Sequence, residues 1–235
     1  MGYYSRFMGC VLGGAVGDAL GRPVEFTPLA GIRDAYGPDG LRRKGCGSVM
    51  RSAPFGLSVF DPFETAGRCS YLTHGHPTAS LSAGAFASII HDLVRGDSQK
   101  RAVRRALDRL AGYPGHEETA DALRAAVHLA AGSRPTAEKV ESLGTGWVAE
   151  EALAIAVYCA LAEPDPRDAL LLAVNDSGDS DTTGAVCGNI LGARHGLRAL
   201  PADWLDAVEG RIVELTFDLM ADPALPNNWA DRYPS

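Results

Sequence analysis

No run of about 18 apolar residues occurs in the 235-residue chain, so a membrane-spanning helix is not expected. Basic residues are not in excess: 22 Lys+Arg stand against 29 Asp+Glu, for a net charge of −7. Nucleic-acid backbones are held mainly by clustered Lys and Arg, so nucleic acid is not expected as the main partner. Cysteine is sparse and odd in number, at Cys10, Cys46, Cys69, Cys159 and Cys187, with no C-x-x-C pair. That excludes a zinc-ribbon pattern and argues against a disulfide framework; five reduced thiols in a cytoplasmic protein are expected. The apolar stretch from Met8 to Leu20 follows Arg6 but is interrupted by Gly9, Gly13, Gly14 and Gly17 and contains Asp18. No A-x-A site follows it, so it is not read as a secretory signal. Strand-like alternation, internal repeats and low-complexity linkers are also missing.

What is present is helical spacing of apolar and small residues along most of the chain, with 46% hydrophobic and 22% charged residues. These values are ordinary for a globular protein long enough to bury a substantial core. The expected fold class is all-α, in a single domain over 1–235. Helices are expected at about Ser5–Leu20, Pro62–Leu72 (entered through Asp61-Pro62), Pro77–Val94, and from a Ser98 cap through Leu110. Others are expected at Glu117–Ala131, Trp147–Leu161, Pro166–Val174, Thr182–Ala193 and Trp204–Leu219. Leu81, Ala85, Ile89 and Leu93 form one stripe of the third of these, with Gly96 ending it. The strongly apolar Trp147–Leu161 segment is expected at the centre. Gly9, Gly13 and Gly17 are four apart and share a helix face. Each glycine costs on the order of 1 kcal/mol in a helix, which makes sense only where another backbone or a ligand comes very close. Residues Gly31 to Gly56 read as one long irregular loop, functional or marking a missing piece.

The strongest chemical signal is Gly178-Asp179-Ser180-Asp181-Thr182-Thr183-Gly184. Two carboxylates two residues apart, followed by hydroxyls, converge on a hard cation such as Mg²⁺ or Ca²⁺. The blander account is helix capping; the doubled acid favours metal binding. An EF-hand loop is excluded, because its twelfth position would be Ile190 rather than Glu. A haloacid-dehalogenase-type D-x-D-x-T phosphatase would need a parallel sheet after its nucleophile, but the residues after Asp181 read as helices. A second cluster is Thr73-His74-Gly75-His76-Pro77. Its spacing fits metal, phosphate or sugar binding and fits equally a helix-entry turn with one capping His. A third is Gly45-Cys46-Gly47-Ser48-Val49-Met50-Arg51, whose backbone N–H groups could cradle a phosphate with Arg51 adding charge.

Taken together and in order, these segments resemble the ADP-ribosylglycohydrolases, the group that includes the dinitrogenase-reductase-activating glycohydrolases. The matching residues are Gly13-Gly14-Ala15-Val16-Gly17-Asp18-Ala19-Leu20-Gly21 with Pro23-Val24-Glu25-Phe26, then Gly45 to Arg51. Leu72-Thr73-His74-Gly75-His76-Pro77, Leu143-Gly144-Thr145-Gly146-Trp147-Val148-Ala149-Glu150-Glu151-Ala152 and Gly178 to Gly184 follow. The resemblance implies a single orthogonal helical bundle of that type around a metal centre, usually two Mg²⁺ ions. It implies Mg-dependent hydrolysis of the C1″ glycosidic bond of ADP-ribose attached to a protein or a small molecule. By the same resemblance Asp179, Asp181 and Thr182 are metal ligands, Glu25 and Asp179 catalytic, and Gly45, Gly47, Ser48 and His74 line the ADP-ribose pocket. An oligomer is compatible with this reading.

One departure stands out. The family's Thr-Asp-Asp-Thr motif, which supplies the other metal ligands, is missing between Thr27 and Lys44, where the acids are Asp34 and Asp39. An internal deletion near 27–44, shortening the bundle by several helices, is the expectation. Two adjacent Mg²⁺ ions need more carboxylates than remain, so a second ion is in question and a catalytically degenerate ADP-ribose-binding module is the alternative function.

Overall fold

A computed structural model of the protein describes residues 5–7, 9–10, 13–14, 44–58, 60–175, 177–208 and 210–221. Their elements are helical, and the one β-type pairing among them is an isolated antiparallel bridge between Gly45 and Val148. The all-α expectation holds. In chain order the helices are α1 Ala53–Leu57, α2 Pro62–Tyr71, α3 Pro77–Val94, α4 Gln99–Leu110, α5 Glu117–Ala130 and α6 Ala137–Glu141. They continue with α7 Ala149–Ala162, α8 Pro166–Val174, α9 Ser180–His195, α10 Ala202–Leu205 and α11 Gly210–Ala221. None is long and apolar enough to cross a membrane.

The starts of several helices are written in the sequence. Asp61 Oδ1 accepts from the N–H of Phe63 at 3.0 Å and of Glu64 at 3.1 Å, with Pro62 in the first turn of α2. Ser98 Oγ accepts from Arg101 N in α4, and Asp165 Oδ1 from Arg167 N and Asp168 N in α8. These caps satisfy amides that have no partner inside the helix. Gly96, at φ 102°, turns the chain after α3.

Three apolar helices form the middle. α3 packs against α1, α2, α4, α7 and α9, and α7 packs against α5, α8 and α9. Phe86, Ile89, Ile90 and Leu93 of α3, Leu153, Ile155 and Tyr158 of α7, and Ile190 and Leu191 of α9 are all 2% exposed or less and join one core. Both faces of α7 are covered, which explains why it reads as apolar all round rather than amphipathic.

The glycine stripe meets another backbone. A Cβ added to Gly192 would stand 1.7 Å from Gly9 O, and one on Gly188 1.8 Å from Gly13 O. Only glycine fits at those crossings, so the N-terminal helical residues and α9 touch main chain to main chain. Asn189 Nδ2 donates to Cys10 O at 2.7 Å beside them, and Arg6 Nη1 donates to Leu93 O and Arg194 O, drawing together the ends of α3 and α9. Gly17, the third glycine of the stripe, lies outside the described residues.

Three expectations are corrected. The single helix over Trp204–Leu219 is two, α10 and α11, separated by a turn that ends at Gly210, a weak helix former. α10 is held to α8 instead: Arg167 stacks over the Trp204 ring at 4.4 Å and pairs with Asp203. The loop expected over Gly31–Gly56 contains a 3-10 turn at Cys46–Ser48 and the start of α1; its residues 31–43 lie outside the described set. Finally, α9 begins at Ser180, not Thr182, so Asp181 sits in its first turn.

Candidate active site

Two segments distant in sequence run side by side at the base of the site. Ala149 N donates to Lys44 O at 2.9 Å, Gly45 bridges Val148, and Cys46 N donates to Trp147 O at 3.2 Å. This short antiparallel ladder sets the Cys46–Ser48 turn against the start of α7. The loop before α7 is held by Glu151, whose Oε2 accepts from Thr145 N at 3.0 Å and Gly146 N at 3.2 Å. Gly146 has φ +77°, and a Cβ there would come within 2.9 Å of Thr183 Cγ2, so the loop's close approach to α9 depends on glycine. Thr145 O in turn accepts from Asp179 N at 2.8 Å. The glycine turn and the acidic turn therefore hang from one segment, residues 145–149.

Asp179 occupies the N-cap position of α9 without capping it; no side-chain cap bond forms. Its Oδ2 instead accepts from the Cys46 thiol at 2.6 Å. Thr182 Oγ1 lies 3.6 Å from the same sulfur, and Asp181 Oδ1 accepts from Thr182 N at 2.6 Å. Asp179 is 3% exposed and Thr182 2%. Burial and the neighbouring Asp181 carboxyl push Asp179 up to about 7 from its ordinary 3.8, while the Cys46 thiol and Thr182 hydroxyl pull the other way. Burial first, then the facing Asp179 carboxylate, pushes the Cys46 thiol well above its usual range, so it stays protonated and donates.

The His74 ring lies over the glycine turn: a Cβ on Gly47 would meet its Nε2 at 3.4 Å, and one on Gly45 at 3.6 Å. Its Nδ1 is 2.8 Å from Thr73 Oγ1, which accepts from Arg51 Nη2. Arg51 thus braces the histidine loop. His76 takes the capping role, its Nδ1 accepting from Thr78 N at the start of α3. The Ser48 hydroxyl is buried and takes a hydrogen bond from Ser70 Oγ at 2.8 Å. What the turn has to offer a ligand at that residue is therefore backbone rather than hydroxyl.

The structure brings Asp179, Asp181, Thr182, Gly45, Gly47, Ser48 and His74 into one contiguous region through Cys46. Glu25, expected as a catalytic acid, lies outside the described residues. Cys46 was read as one more reduced thiol, which it is, and its contact with Asp179 was not foreseen. The available signal was its position, as the middle residue of Gly-x-Gly in a turn already marked for ligand binding. Glu151 was quoted in a motif but given no task; it shapes the loop that carries both turns.

Two neighbouring carboxylates, one raised to about 7 by burial and by the other, and a hydroxyl on a helix N-terminus make an oxygen set whose charge matches one divalent ion. Among the described residues it does not match two. Among the described residues no group of three or more His, Cys, Asp and Glu is arranged to hold a metal ion.

Comparison with known proteins decides the relationship. A family profile described as ADP-ribosylglycohydrolase matches residues 1–44 and 34–229. The chain belongs to the ADP-ribosylglycohydrolase family. An uncharacterised protein of Archaeoglobus fulgidus is 26% identical over 287 aligned positions, covering 88% of this chain and 92% of that one. The bovine ADP-ribosylhydrolase ARH3 is 28% identical over 216 positions, 76% of this chain but 58% of its own length. The ADP-ribosyl-dinitrogen reductase glycohydrolase of Rhodospirillum rubrum is 24% identical over 174 positions, 72% of this chain and 52% of that one. This chain therefore spans a little over half the length of those two named enzymes. A solved structure titled ADP-ribosylglycohydrolase-related protein complex superposes with a TM-score of 0.72 at 24% identity, over 92% of this chain and 95% of that one, so the family fold is shared. For an ADP-ribosylglycohydrolase, the sequence resemblance led to the expectation that the glycine turn and the histidine loop line the ligand pocket and that the acidic turn carries metal ligands.

Proposed function

We propose that this protein is an ADP-ribosyl hydrolase, cleaving the C1″ glycosidic bond between ADP-ribose and an acceptor on a protein or small molecule in the cytoplasm. The observation that carries the reading is the convergence of Asp179, Asp181 and Thr182 with the Gly45–Ser48 turn and His74 in one region of a family-type fold. The turn's backbone N–H groups would face the pyrophosphate, with the first turn of α9 adding the positive end of its dipole. His74 would sit above that turn and limit the ligand's approach. Asp179, Asp181 and Thr182 would hold one Mg²⁺, which supplies charge to orient ribose hydroxyls. By the family resemblance Asp179 would also be the carboxylate that assists the attacking water.

The test is direct. The protein is incubated in Mg²⁺ with ADP-ribosyl-arginine and ADP-ribosyl-serine peptides, and released ADP-ribose is measured. No release at high protein concentration removes the enzymatic reading.

A second reading is a degenerate module that binds ADP-ribose without cleaving it. The absence of Thr-Asp-Asp-Thr from residues 27–44 favours it. So do the profile match in two pieces and an alignment of 287 positions for a 235-residue chain, both as expected of an internal deletion in a single domain. Calorimetry with ADP-ribose separates the two: heat of binding without turnover favours the module, and no heat at millimolar ligand excludes it.

A further inference from the structure

Lys44 enters the site by its backbone, but its side chain leaves in another direction. The carbonyl is the first rung of the ladder that holds the glycine turn to α7. The ammonium contacts Glu150 Oε1 on α7 and Glu118 Oε2 on α5 at 3.0 Å. Glu118 Oε2 also accepts from Thr78 Oγ1 on α3 at 2.6 Å. One cation thus connects the residue preceding the turn to three helices. Glu150 is 7% exposed, and its second oxygen is buried with no hydrogen-bond partner among the described residues.

Exposed ion pairs contribute little, because water screens them and the side chains lose freedom. This one differs because Glu150 is inside. Without Lys44 its carboxylate would be buried and uncompensated. No side-chain hydrogen bond caps the Cys46–Ser48 segment; beyond the ladder its described polar ties are Ser70 Oγ to Ser48 Oγ, Ser52 Oγ to Ser48 O, and the contacts of the Cys46 thiol with Asp179 and Thr182.

We propose that Lys44 is a positioning residue for the ligand: through Glu150 and Glu118 it fixes the Gly45–Ser48 turn relative to His74 and Asp179. This rests on the ADP-ribose reading for the identity of the ligand, but not for the mechanics. A turn displaced by about an ångström no longer presents its amides to a phosphate within hydrogen-bond distance. The cation keeps the turn in place without touching the substrate.

Stability and positioning can be separated with a pair of variants. Lys44→Met leaves the Glu150 charge stranded and lowers the melting temperature. Lys44→Met/Glu150→Gln removes that charge, so stability recovers while the attachment stays broken. Lys44→Arg keeps both pairs. Calorimetric titration with ADP-ribose is expected to show binding about tenfold or more weaker in the single and double Met variants, and near wild type in Lys44→Arg. A double variant that recovers both stability and wild-type affinity overturns the proposal. If wild-type protein shows no binding at all, the proposed function fails instead. The positional claim is then read from hydrogen exchange of the two ladder amides, Cys46 N–H and Ala149 N–H, in free protein. Their exchange must rise about tenfold in the double variant and stay low in Lys44→Arg, and unchanged exchange refutes it.

Discussion

Replacing Asp179 by Asn should stabilise the metal-free protein while removing its response to magnesium. Asp179 has an ordinary value of 3.8 and is held near 7 in the fold by burial and by Asp181. Below about pH 4 the carboxyl is protonated in folded and unfolded chains alike, and the fold bears no cost. As pH rises from about 4 to 7 the unfolded chain ionises while the folded one does not, so stability is lost across that window and is level above it. A shift of about three units at 1.36 kcal/mol each sets a ceiling of about 4 kcal/mol. Proton sharing with Asp181 and local relaxation bring the expectation to on the order of 2 kcal/mol, or about 4–8 °C in Tm for a chain of this size. Asparagine bears no such cost at any pH, and its carbonyl can still accept from the Cys46 thiol. The assay is denaturant unfolding of both proteins in chelator at several pH values. The Asn variant should gain nothing at about pH 4 and most at about pH 8. A variant equally stable or less stable at about pH 8, or a difference that does not change with pH, refutes the account of Asp179 as a strained carboxylate. With Mg²⁺ added at about pH 8, wild type should gain stability and the variant should not.

Three further outcomes follow. Asp181→Asn should reduce the Mg²⁺-induced rise in Tm, since it removes a hard anionic ligand; an unchanged rise in a thermal-shift titration means that the cation is held elsewhere. Gly192→Ala should destabilise by about 3 kcal/mol or more in chemical denaturation, because its Cβ would stand 1.7 Å from Gly9 O and backbone cannot give way as a side chain can. Leu153→Ala, in the covered middle of α7, should cost about 2–5 kcal/mol in the same assay, and a loss below about 1 kcal/mol would show that α7 is not central.

Local chemistry was legible where it acts locally. The limits of α3, α4 and α8 follow from His76-Pro77, Ser98 and Asp165-Pro166, because capping and proline geometry act within one turn. α1 and α6 are five residues each, too short for a period to show. The acidic turn, glycine turn and histidine loop were visible as separate motifs, and the family resemblance predicted that they meet. What no local pattern carries is the ladder between residues 44–46 and 147–149, since its partners are about a hundred residues apart and its bonds are backbone to backbone. The role of Cys46 went unseen for a related reason. Buried thiols are ordinary, and only the fold places this one against Asp179.

The glycine crossing has a geometric consequence for the far end of α9. Gly188 and Gly192 lie eight and twelve residues beyond Ser180, which at 1.5 Å per residue is about 12 to 18 Å along the axis. A helix seated on bare backbone cannot roll about its axis, because each residue of roll turns the contact by about 100° and would drive a side chain into Gly9 or Gly13. It cannot slide either, since a shift of one position has the same effect. The compass bearing of Asp181 and Thr182 is therefore set by residues that have no side chain, at the opposite end of the rod.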